Sequence, residues 1–88
     1  MSDTREIVDQ YVDFTRFLVT SMIPGVREDA VEISGSAGRD TLFLSVKVPD
    51  SCRGRIIGRA GQNVRAVRAL LEARDPSLPY QVKLDIVR

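Results

Sequence analysis

The sequence predicts an α+β fold, a three-stranded mixed sheet covered on one face by three helices, in the order α-β-β-α-α-β. Three observations predict it. Residues 41–48 alternate, with Leu42, Leu44, Val46 and Val48 on one side and Thr41, Phe43, Ser45 and Lys47 on the other. That is the period-two signature of a half-buried strand. Residues 7–22 instead place Ile7/Val8, Tyr11/Val12, Phe14, Leu18 and Met22 at helical spacing. Finally, Gly58-Arg59-Ala60-Gly61 joins two helical segments that separate the strand at 41–48 from a last strand at 80–87. A helical crossover makes those two strands parallel, with a right-handed connection. Each strand has one apolar face, which the helices must cover.

Taken in order, the first four or five residues are expected to fray. Ser2, Asp3 or Thr4, with Glu6 nearby, is a start signal for a helix running to about Met22. Asp9, Asp13 and Arg16 fall mostly on its polar side. The aromatics Tyr11, Phe14 and Phe17 read as core or as a dimer contact rather than as ligand groups. Ile23-Pro24-Gly25 stops the helix. A short strand follows over 30–34, with Val31 and Ile33 on one face and Glu32 on the other. Residues 35–40 form a glycine-containing turn, and 30–34 pairs with 41–48 as an antiparallel hairpin. Pro49-Asp50-Ser51 breaks the strand, and Asp50 or Ser51 can cap a short helix over 52–57. A longer helix covers 62–74, with Val64, Val67 and Leu71 at i, i+3 and i+7. Two prolines hold 75–79 in a loop. In the last strand Val82, Leu84 and Ile86 point inward, and Gln81, Lys83 and Asp85 outward.

With 88 residues and a 43% hydrophobic fraction, the chain reads as a single domain with one modest core. Its net charge of +1 says nothing about partners, but the distribution does. Residues 1–52 hold five basic and nine acidic side chains, whereas 53–74 hold six arginines against Glu72 alone. A neutral protein with its positive charge in one quarter of its length carries a patch, and patches steer polyanions. A solvated helix face is the blander account of the same charges. The single cysteine, Cys52, excludes an internal disulfide and suits a reducing cytoplasm. No apolar run approaches the roughly 20 residues of a membrane span. The polar, acidic start gives no sign of a secretory signal.

The glycine turn is the candidate site. Gly58 and Gly61 can take positive φ and carry no Cβ, so the chain can turn sharply there and admit a foreign backbone. A turn that opens a helix presents free N–H groups and the positive end of the helix dipole. Phosphates bind well at such a place. Arg55, Arg59, Arg65 and Arg68 add charge around it, with Arg65 and Arg68 on one side of the helix. Gln62 and Asn63 are candidate hydrogen-bonding groups beside the turn.

Ile56-Ile57-Gly58-Arg59-Ala60-Gly61-Gln62-Asn63-Val64 resembles the signature of the KH domain: an aliphatic pair, G-x-x-G, then an aliphatic residue three positions on. The predicted element order is that of the type II KH domain, with the core motif at about 41–87. The resemblance spans almost the whole chain, and a stand-alone chain of this length is similar to the small bacterial KH-domain RNA-binding proteins of the KhpA type. It implies binding of single-stranded RNA, about four nucleotides per domain. Gly58, Arg59, Ala60 and Gly61 would clamp phosphates, with Arg59 meeting one directly. Ile56, Ile57 and Val64 would build the core and the wall of an apolar groove between the two short helices and the final strand. The role implied is that of a post-transcriptional regulator or RNA chaperone in the cytoplasm. The implied protein partners are a second copy of the chain or a larger KH-containing protein of the KhpB or Jag type. No cofactor is implied. The sequence departs from the family at Ala60, where many relatives carry a polar or charged residue. No aromatic lies in 44–79, so stacking on aromatic faces is not expected and a single domain should bind weakly. A dimer would restore affinity through avidity.

Other function classes fit poorly. The chain has no histidine, so it offers neither a histidine base nor a histidine metal ligand. Cys52 lacks an identifiable base and reads as an idle thiol. The glycines follow neither G-x-G-x-x-G nor a Walker A pattern. The remaining competitor is a protein-interaction module of the same fold, its arginines pairing with acidic partner surfaces.

Overall fold

The computed structural model describes residues 4–87. Helix α1 spans Thr4–Met22, strand β1 Glu32–Ala37, strand β2 Thr41–Lys47, helix α2 Asp50–Ile57, helix α3 Gln62–Arg74 and strand β3 Gln81–Val87. Short 3₁₀ turns occupy Glu28–Ala30 and Arg59–Gly61. The sheet order is β1-β2-β3. β1 and β2 are antiparallel, and β2 and β3 are parallel, with Leu44 opposite Gly35 on one side and Leu84 on the other. The fold is thus α+β with a three-stranded mixed sheet and three helices, as in a type II KH domain.

The alternation in β2 decides where the core lies. Leu42, Leu44, Val46 and Val48 are buried, while Phe43 and Lys47 are exposed. Two clusters form on that face. Tyr11, Leu42, Leu44, Val67, Leu71 and Val82 lock α1 and α3 onto the sheet. Val19, Ile23, Val31, Val46, Val48, Ile56 and Ile86 make the second, beside α2. Cys52, Ile57 and Val64 pack against this second cluster, so the glycine turn is anchored from below. Thr15 is buried within α1, and its hydroxyl donates to the Tyr11 carbonyl at 2.6 Å. That bond satisfies a polar group which burial would otherwise penalise.

Several boundaries differ from the sequence reading. Thr4 and Arg5 are helical rather than frayed, and the alternative caps Ser2 and Asp3 lie outside the described residues. β1 is displaced from the expected 30–34 to Glu32–Ala37, and the turn shortens. Ala37 pairs with Leu42, and the Gly38 N–H donates to the Thr41 carbonyl at 2.8 Å to close the hairpin. Gly35 therefore lies inside the strand, where α1 crosses it. A Cβ there would meet Val8 Cγ1 at 2.9 Å, Val12 Cγ2 at 3.0 Å and Leu44 Cδ2 at 3.1 Å. α2 begins at Asp50 rather than Cys52, and neither Asp50 nor Ser51 caps it. Pro49 holds the capping position at φ −57°, and its carbonyl accepts the Cys52 N–H at 2.8 Å. Proline's fixed φ suits a helix entrance, and Asp50 in the first turn complements the dipole. β3 starts at Gln81, one residue later than expected, and Tyr80 precedes it.

Candidate nucleic-acid interface

α2 ends where Gly58 turns to φ 74°, ψ 176°, and the Gly58 N–H donates to the Gly54 carbonyl at 2.8 Å. Ala60 follows at φ 55°, ψ 28° and Gly61 at φ 75°, ψ 15°. Ala60 is the one non-glycine among the described residues with positive φ. An L-residue held there costs about 1 kcal/mol or more, which the surrounding structure must over-determine. The hydrogen bonds of the Arg59–Gly61 turn begin with the Gly61 N–H on the Gly58 carbonyl, at 3.2 Å. The N–H groups of Arg59 and Ala60 precede that bond, as the first donors of any helical turn do.

The structure brings most of the predicted residues to one corner. Arg59 and Ala60 are exposed at the tip, with Gly58 and Gly61 half-buried beneath. Ile57 and Val64 are half-buried against the Ile56–Ile86 cluster, as is Leu84 of β3. All three pack on that buried cluster, and Ile57 and Val64 flank the turn in sequence. Gln62 is exposed. Asn63 is half-buried, and its side-chain amide donates to the Arg55 carbonyl at 2.7 Å.

The arginines divide into different jobs. Among the described residues no hydrogen bond or ion pair reaches the guanidinium of Arg55 or Arg59. Arg65 folds back, its Nη1 donating to the Ala60 carbonyl at 2.6 Å. Arg68 pairs with Glu72 at 3.2 Å, an exposed i,i+4 contact that is weak and easily exchanged. Arg53 is half-buried, and its Nε is sealed without a partner. Arg74 leaves the patch altogether. Its guanidinium lies 5.3 Å from the Tyr11 ring centroid and 5.4 Å from that of Phe14, a cation–π clamp between α3 and α1.

Two clefts flank α3 and β3, and Arg68 and Lys83 line both. One, about 500 Å³, also holds Glu72, Leu78 and Tyr80. The other, about 410 Å³, holds Phe43 and Leu84. Neither cleft includes Ile57 or Val64, so Tyr80 and Phe43, just outside the interval 44–79, line clefts other than the expected groove. Phe43 is opposite Lys83 in the sheet and is 44% exposed, enough to offer a ring face.

Among the described residues, no group of three or more His, Cys, Asp or Glu side chains could hold a metal ion. No helix among the described residues is long and apolar enough to cross a membrane. Asp75 ends α3 and accepts from the Ser77 hydroxyl at 2.6 Å and its N–H at 3.0 Å, which holds the carboxyl below its usual pKa.

Comparison with known proteins finds the RNA-binding protein KhpA of Borreliella burgdorferi, 33% identical over 76 residues. The match covers 86% of this chain and 90% of that protein. No family model matches the chain. No solved structure matches it.

Proposed function

The chain belongs to the KhpA-type RNA-binding proteins, and from that premise we propose that its Gly58–Gly61 turn clamps the backbone of single-stranded RNA. One observation carries this reading. The turn exposes backbone donors at a helix entrance, and the guanidinium groups of Arg55 and Arg59 stand beside it with no internal partner. A phosphate placed there gains charge-assisted hydrogen bonds without breaking any ion pair of the free protein. Arg65 and Arg68 extend the positive surface along α3. The bases then rest on the half-buried aliphatics Ile57, Val64 and Leu84. About four nucleotides fit such a module.

Because phosphate contacts carry little sequence information, this site suits broad recognition of unpaired RNA. A post-transcriptional regulator or RNA chaperone of the cytoplasm uses that kind of recognition. The protein partner we propose is a second copy of the chain or a larger KhpB/Jag-type protein. Phe17 supports it, lying 63% exposed on α1. A protein-interaction module without RNA binding is the competing reading, favoured by the same exposed Phe17 and by the acidic first half of the chain.

NMR titration with a short unpaired RNA separates them. The RNA reading expects the amides of Gly58 to Val64 and of Leu84 to shift most. Shifts confined to α1, or none at low salt, would overturn it.

A further inference from the structure

We infer that Asn63 and Arg65, both in the first turn of α3, form a two-sided brace that shapes the clamp before any ligand arrives. The inference rests on the reading of the turn as a clamp, but it concerns the free protein. Asn63 is then a positioning residue rather than an RNA contact.

The geometry on the first side is specific. The Asn63 amide spans eight residues of chain to reach the Arg55 carbonyl, at 2.7 Å. That carbonyl belongs to the last turn of α2, where helical acceptors run out of internal donors. The bond therefore ties the end of α2 to the start of α3 across the turn. The same side chain explains Gly58. A Cβ on Gly58 would lie 2.7 Å from Asn63 Cγ and 2.8 Å from Nδ2. Gly58 is needed for its φ of 74°, and again because the brace occupies the space of a side chain.

Arg65 does the equivalent on the other side. Its Nη1 donates to the Ala60 carbonyl at 2.6 Å. A Cβ on Gly61 would approach that same nitrogen to 3.1 Å. Each glycine of the turn thus has a bracing group of α3 where its own side chain would be. Arg65 also covers a carbonyl oxygen that would repel a phosphate, and leaves its charge beside the turn.

A brace is useful here because the turn is unfavourable alone. Gly58, Ala60 and Gly61 all hold positive φ, and an unsupported segment would sample other shapes. Fixing the binding geometry beforehand removes an ordering cost from association.

The test reads the free protein first. Amide hydrogen exchange at Gly58 and Gly61 is measured by NMR for wild type, Asn63→Leu and Arg65→Leu, with the β2 cross-peak positions as the control for folding. Asn63→Leu keeps the side-chain size, removes the donor and adds no charge. It is expected to speed exchange at both glycines about tenfold, the scale of one lost hydrogen bond, while the β2 cross-peaks stay in place. Arg65→Leu is expected to act mainly on Gly61. Unchanged exchange at the glycines in Asn63→Leu overturns the brace. RNA titrations against salt give the second readout. A misshapen clamp loses phosphate contacts, so Asn63→Leu should lower both the affinity and the slope of log K against log salt. Lower affinity with an unaltered slope would mean that Asn63 touches RNA directly, which also overturns the proposal. Should wild type bind no RNA at all, the clamp reading fails, while the exchange measurement still decides on the brace.

Discussion

Gly35 and the pair Gly58/Gly61 are the same residue type set to opposite uses. At Gly35 the missing Cβ makes room for a neighbour: Val8 and Val12 of α1 and Leu44 of β2 would all lie within 3.1 Å of it. Its φ is ordinary, and any side chain small enough could adopt that backbone. At Gly58 and Gly61 the backbone itself is unusual, and the space of a Cβ is taken by polar ends of Asn63 and Arg65. One glycine serves packing and so stability. The other two set the shape of a surface turn, which in the proposed clamp is the part that meets RNA. A substitution at Gly35 should therefore strike stability and spare binding, whereas one at Gly58 or Gly61 should strike binding first.

The largest stability effect is expected at Gly35. Gly35→Val forces branched carbons into a filled site, and overpacking of that kind costs about 1–3 kcal/mol. Tm should fall by about 10 °C in a domain of this size. The RNA affinity of the folded fraction should not change. A loss of affinity at matched folding, read by titration below Tm, would break the comparison. Gly58→Ala should weaken RNA binding by the folded protein about tenfold, and its strained φ should lower stability by about 1 kcal/mol as well.

Smaller effects sharpen the contrast further. Arg74→Ala removes the cation–π contact with Tyr11 and Phe14, worth about 0.5–1 kcal/mol at a site this open. Tm should drop by a few degrees and RNA affinity should hold, because Arg74 lies away from the turn. Tyr11 adds a pH signature. Burial pushes its hydroxyl above the ordinary 10.0, and the nearby Arg74 charge only partly offsets this. Its folded form holds the proton more tightly than the unfolded chain does. The associated stability is complete below pH 10.0 and declines as pH rises from there through the folded pKa. Tyr11→Phe should flatten that alkaline limb in melting curves. The smallest effect belongs to Ala60→Gly, which relieves the positive φ but frees the unfolded chain. A net gain of about 0.5 kcal/mol, or a Tm rise of about 3 °C, is expected.

What the sequence disclosed follows the same division. Strong periodicity made β2 and α3 legible, and the expected helix over 62–74 matches Gln62–Arg74 to the residue. Alternation and helical spacing are local signals, so they survive without knowledge of tertiary contacts. From sequence alone Gly35 reads as part of a turn, because a glycine that makes room for α1 looks no different from one that bends the chain. The positive φ at Gly58 and Gly61 was foreseeable from residue type, whereas that of Ala60 was not, since an L-residue adopts it only under external restraint. The arginines shared one charge and one stretch, yet Arg65 ends on a carbonyl and Arg74 on two aromatic rings. Only the Arg68–Glu72 pair could have been read from its i,i+4 spacing.

The measurement that bears most directly on the clamp is fluorescence anisotropy of a short labelled single-stranded RNA. Wild type is compared with the double variant Arg59→Asp/Ala60→Asp, both checked by circular dichroism. Two aspartates at the exposed tip leave the core untouched and repel phosphate. The clamp predicts that wild type binds in a salt-dependent manner and that the folded double variant loses at least about tenfold in affinity. Equal binding by the two proteins would contradict it and place the RNA on another face of the molecule.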